Sequence, residues 1–172
     1  ALKIQIEISG EASLEVGSTF NHIGNTYKKL GDYKSTLHYL YRSLNIRKQE
    51  LGEKHFYVAN TFSHLGDAYL HKNDLMESFD YLNKALVIQL KTIGENHEHV
   101  AEVYNNLGVF YFKRGHTNTA ITYFNKALKI LDQRIDDDHH FKAFSYLYLG
   151  KIATKLKNYN LAQQYFDKAF TI

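Results

Sequence analysis

The chain has 172 residues, 44% hydrophobic and 23% charged, and its formal net charge is +3. That balance fits a folded domain and is too weak to imply nucleic acid, since the basic residues are scattered among Asp and Glu rather than gathered into a stripe. There is no cysteine, which excludes disulfides and thiolate metal sites, and no proline or tryptophan.

In chain order, Leu2, Ile4, Ile6 and Ile8 alternate as in a strand, but register argues for helix. Ala1, Leu2 and Ile4 stand 42 residues before Ser43, Leu44 and Ile46, so residues 1–9 read as the tail of a preceding second helix, closed by Gly10. Helices are then predicted at 14–29, 33–50, 56–71, 75–92, 98–113, 117–134, 140–156 and 159–172. The ruler is Gly24, Gly66, Gly108 and Gly150, each 42 residues from the next. Before them come Phe20, Phe62, Tyr104 and Tyr146, then Ile23, Leu65, Leu107 and Leu149; Tyr27, Tyr69 and Tyr111 follow, with Ala153 in the fourth place. Aromatic, aliphatic and glycine at i, i+3 and i+4, with tyrosine at i+7, form one stripe of an α-helix.

The second helix of each unit carries small residues at Thr36, Ser78, Ala120 and Ala162 and at Ser43, Ala85, Ala127 and Ala169. Bulky pairs fall at Tyr39-Leu40, Tyr81-Leu82, Tyr123-Phe124 and Tyr165-Phe166. Gly31-Asp32, Asn73-Asp74 and Gly115-His116 supply left-handed helix ends, and Asp32 and Asp74 supply N-caps. Lys157-Asn158 is the weakest copy, which predicts a looser last hairpin. Gly52 and Gly94 close the second helices, and Asp136 takes that place later. A period in this range signals a stack of identical units rather than one globular core.

This pattern on helical hairpins resembles the tetratricopeptide repeat, whose common period is about 34 residues. The longer period, with Leu51-Gly52-Glu53-Lys54-His55 running into Val58-Ala59 and Ile93-Gly94-Glu95-Asn96-His97 into Val100-Ala101, is similar to the subclass found in kinesin light chain and nephrocystin-3. Tyr104-Asn105-Asn106-Leu107-Gly108 is the closest local match. The resemblance implies an all-α, right-handed superhelical solenoid of antiparallel hairpins, with 1–172 as a single array of repeats at 14–51, 56–93, 98–135 and 140–172. Two prolines usual in the family are missing.

Metal and catalytic readings find little support. His55, His97 and His139 recur at first-helix starts and read as caps. His22 and His64 stand a full repeat apart, at roughly the 8–10 Å of packed helices, too far to share an ion whose ligands lie about 2 Å away. His97/His99 and His139/His140 lack a third ligand. Asp136-Asp137-Asp138 reads as a solvated helix start favoured by the macrodipole. With no phosphate loop and no nucleophile motif, the expectation is no enzyme and no cofactor.

In tetratricopeptide arrays the first helices line a concave groove, and the resemblance carries that role here to Ser18, Asn21, His22, Asn25 and Lys28; to Asn60, Ser63, His64, Asp67 and His71; to Glu102, Asn105, Asn106, Val109 and Lys113; and to Phe144, Leu147, Tyr148, Lys151 and Lys155. Amides carry both a donor and an acceptor, so Asn21, Asn25, Asn60, Asn105 and Asn106 form a ladder suited to the main chain of an extended peptide. The peptide site expected is Asn21, Asn25, Asn60, His64, Asp67, Asn105, Asn106, Val109, Phe144, Tyr148 and Lys151. No arginine is expected in this groove, which argues against a clamp for C-terminal carboxylates.

The function expected is a protein-interaction module holding a partner protein or peptide, with no nucleic acid and no membrane among its partners. No apolar stretch is long enough to span a bilayer and no secretion signal is visible, so a cytoplasmic location is expected. Two alternatives stand beside it: an architectural unit that self-associates end to end through its terminal helices, and the sensor part of a regulatory protein. For the former, the uncovered stripe is expected at Tyr148, Ile152, Tyr165 and Phe166.

Overall fold

The computed structural model describes residues 13–133 and 140–172. The readings at residues 1–9, Gly10, Asp136 to Asp138 and His139 lie outside the described residues. Among those described, all regular structure is helical: α1 (Leu14–Lys29), α2 (Tyr33–Leu51), α3 (Phe56–Lys72), α4 (Leu75–Thr92), α5 (Glu98–Lys113), α6 (Thr117–Leu131), α7 (His140–Lys155) and α8 (Tyr159–Phe170). The chain divides into two compact units, Ala1–Thr92 and Ile93–Ile172. Each contains two antiparallel hairpins, α1/α2 with α3/α4 and α5/α6 with α7/α8.

Local chemistry sets the helix ends. The Ser13 hydroxyl accepts from Val16 N at 3.3 Å, and the Asp32 carboxylate from Ser35 N at 3.0 Å. His55 and His97 cap α3 and α5 through Nδ1, accepting from Tyr57 N at 3.1 Å and His99 N at 3.3 Å. Hairpin turns close at Gly31 (φ 77°), Asn73 (φ 66°), Gly115 (φ 80°) and Lys157 (φ 61°), all left-handed. The last turn is not looser: Lys157 N reaches Thr154 O and Asn158 N reaches Ala153 O at 2.9 Å, the same pair of bonds that Gly31 and Asp32 make to Lys28 O and Tyr27 O.

The first three hairpins are built on the same knot. Phe20 lies 5.9 Å from Tyr39, and Tyr39 stacks on Tyr27 at 5.5 Å. Phe62–Tyr81–Tyr69 and Tyr104–Tyr123–Tyr111 repeat it one period apart, with stacked rings at 5.7 and 5.3 Å. Beneath them Phe20, Leu40, Leu65, Leu82, Leu107 and Phe124 are fully buried, each contributing about 1.5–3 kcal/mol.

At the last hairpin the stripe expected to be uncovered is partly internal. Ile152 is buried, Tyr148 stacks on Phe124 at 5.4 Å, and the Phe166 ring closes over Gly150. Leu147, Leu156, Tyr159 and Phe170 are the exposed large hydrophobic side chains there, Phe170 at 94% on the register where Leu44 and Leu128 are buried.

Candidate functional site

In the first unit, the polar residues of α1 and α3 meet. Asn21 Oδ1 lies 3.0 Å and Asn25 Nδ2 3.1 Å from His64 Nδ1. One ring nitrogen either donates or accepts, so it serves one of these amides at a time. One turn further on, Lys28 pairs with Asp67, and His71 Nε2 stands 3.5 Å from the other Asp67 oxygen. Tyr33 stacks on His71 at 5.8 Å. Residues expected to face an open groove therefore join one hairpin to the next, and Asn21 and Asn60 are buried.

The second unit extends this finding. Asn105 is 1% exposed, its Nδ2 donates to Phe141 O at 2.9 Å, and its Oδ1 accepts from the Ser145 hydroxyl at 2.6 Å. Both ends of the amide are engaged, so Asn105 fastens α5 to α7 and is not presented to a peptide. The reason is its neighbour: a small Ser145 on α7 leaves the buried backbone oxygen of Phe141 within reach. Asn106 and Val109 are also buried.

An accessible surface remains on α7 beside the end of α5. Phe144 and Tyr148 lie 4.8 Å apart, Phe112 meets Tyr148 edge-on at 6.1 Å, and Leu147 is exposed. Lys151 Nζ sits 4.6 Å above the Tyr148 ring and Lys155 Nζ 5.4 Å from that of Phe112. Such cation–ring contacts are worth about 0.5–2 kcal/mol and leave ammonium protons for a second partner.

Arg47 is a buried residue behind the wall that sequence reasoning missed. It starts on α2, is 4% exposed, and passes between the first helices: Nη1 donates to Tyr57 O at 3.0 Å and Thr61 Oγ1 at 2.8 Å, and Nη2 to Ser18 Oγ at 3.3 Å. Burial pushes its guanidinium down to about 10. An arginine thus does reach the wall. Its signal lay in the register, where Arg47 answers to Gln89 and Leu131.

Glycine-notched antiparallel hairpins with equivalent first-helix walls define a helical-repeat protein. The tetratricopeptide repeat model matches residues 15–86, 57–133 and 99–172, and the chain belongs to that family. No curated protein sequence matches it. Among solved structures it is similar to BtubC (BKLC) from P. vanneervenii, with TM-score 0.74 and 21% identity over 91% of this chain and 62% of that one. It therefore spans less than two thirds of that protein. It is also similar to a Podosopora anserina chain of nearly identical TPR-like repeats, named for kinesin light chain, in two structures. Their TM-scores are 0.69 and 0.66 at 16% identity, covering 99% of this chain and 80% and 81% of those. These likenesses show the fold, a TPR-like solenoid class. The family points to a role in protein–protein interaction or scaffolding.

Proposed function

We propose that the chain is a non-catalytic interaction module that holds an extended peptide on the first-helix wall of its second unit. The observation that carries this reading is the half-buried aromatic pair Phe144 and Tyr148 beside exposed Leu147, with Lys151 and Lys155 poised above rings. It suits a peptide pairing an apolar side chain with carboxylates. Elsewhere on the walls Asn21, Asn25, His64, Lys28 and Asp67 tie α1 to α3, Asn105 ties α5 to α7, and Asn60, Asn106 and Val109 are buried, so these residues position the helices. The test is selection from a displayed library of unstructured peptides, followed by affinity measurement. Selected peptides should be acidic and apolar and should lose tenfold or more of their affinity for Tyr148→Ala/Lys151→Ala. Unchanged affinity in that folded variant would refute the reading.

A further inference from the structure

The stacked tyrosine pair of the hairpin recurs as Tyr27–Tyr39, Tyr69–Tyr81 and Tyr111–Tyr123. The middle pair receives a third phenol from the hairpin before it. Tyr41 Oη, from α2, lies 2.8 Å from Tyr69 Oη and 2.9 Å from Tyr81 Oη. The register of Tyr41 is otherwise polar and short, with Asn83, Asn125 and Asp167 in the equivalent places. Tyr41 therefore departs from the repeat at a position from which its long side chain reaches the next tyrosine pair. It is 39% exposed, and its ring meets that of Tyr81 edge-on with centroids 6.4 Å apart.

We propose that Tyr41, Tyr69 and Tyr81 form a site of oxidative modification, at which a one-electron oxidant of the haem-peroxidase class joins Tyr41 to one of its two hydroxyl partners by a carbon–carbon bond. The carbons ortho to a phenolic oxygen are where the unpaired electron of a phenoxyl radical resides and where such radicals couple. Hydroxyl oxygens 2.8 and 2.9 Å apart hold the phenol edge of Tyr41 against those of Tyr69 and Tyr81, so coupling needs ring rotation and no movement of the helices. Each of two phenols loses one electron and its hydroxyl proton; the two radicals couple ortho to ortho; each ring then shifts its ortho hydrogen to oxygen and regains aromaticity. Two phenols become one biphenol, releasing two electrons and two protons, and hydrogen peroxide takes up both to give two waters. The product ties α2 of the first hairpin covalently to the second.

The experiment treats the dilute full chain with a haem peroxidase and hydrogen peroxide, isolates the monomer by denaturing electrophoresis, and maps linked peptides by mass spectrometry. The expected product is an intrachain link, short of two hydrogens, between the Tyr41 peptide and the Tyr69 or Tyr81 peptide. It should exceed any link within Tyr27–Tyr39 or Tyr111–Tyr123 at least tenfold. Tyr41→Phe, which keeps the ring, and Tyr41→Asn, which restores the residue used elsewhere at this register, should both abolish it while circular dichroism stays helical. Equal linkage at the other stacked pairs, a Tyr69–Tyr81 link formed without Tyr41, or no intrachain link where free tyrosine is coupled would each overturn the proposal.

Discussion

A methyl group on Gly108 would lie 2.7 Å from two ring carbons of Phe124, so the α5/α6 hairpin closes only because that position carries no side chain. The same relation, sixteen residues apart, joins Gly24 to Leu40, Gly66 to Leu82 and Gly150 to Phe166, at 2.9, 2.6 and 2.5 Å. Alanine would favour the helix by about 1 kcal/mol, but overpacking a closed core costs about 1–3 kcal/mol. Gly108→Ala is therefore expected to lower stability by up to about 2 kcal/mol in denaturant unfolding. A neutral or stabilised variant would show that Phe124 moves aside freely.

The fourth hairpin turn suggests the opposite change. Lys157 holds φ 61°, where its counterparts are Gly31, Asn73 and Gly115. A non-glycine residue in that region costs about 1–2 kcal/mol, part of which glycine returns through its freer unfolded chain. Lys157→Gly is expected to stabilise by up to about 1 kcal/mol, read as a rise in melting temperature. A fall would mean that the lysine side chain holds the turn by contacts of its own.

Gln89 is fully buried with neither amide atom hydrogen-bonded among the described residues. An unsatisfied buried polar group costs about 1–3 kcal/mol, and Leu131 fills the same register in the next repeat. Gln89→Leu should raise stability by about 1 kcal/mol or more. Loss of stability would reveal a partner for the amide.

His99 gives the fold a pH dependence. Its partner Glu102, 3.4 Å away, raises its pKa above the ordinary 6.5, against the opposing effect of burial. A raised folded-state value means that the charged ring is favoured by folding. The stabilisation is complete below about 6.5 and is lost as pH climbs through the raised value. Unfolding measured from pH 5 to 9 should show this decline, and His99→Gln should flatten it. An identical profile in the variant would assign the slope to other groups.

The residues that announced the fold in the sequence were those whose function within the hairpin is backbone geometry or shape. Gly108 and Tyr123 have one job in every copy, so the period exposes them. The wall residues were less legible because an amide on a first helix has two outlets that sequence does not distinguish. Asn105 turned inward, toward Ser145 and Phe141 O, because a small residue on α7 admitted it. Tyr41 and Arg47 were hidden for a different reason. Each departs from the repeat, and a departure carries meaning only once the next hairpin is seen to lie within reach of a long side chain.

The most direct test of peptide binding on the first-helix wall of the second unit is nuclear magnetic resonance of the isotopically labelled chain titrated with a library-selected peptide, following backbone amides and the side chains of Phe144, Leu147, Tyr148 and Lys151. Saturable shifts concentrated on α7 and the end of α5, largest around Tyr148 and Lys151, are expected. Saturable shifts confined to α2, α4, α6 and α8, with those side chains unmoved, would contradict binding at that wall.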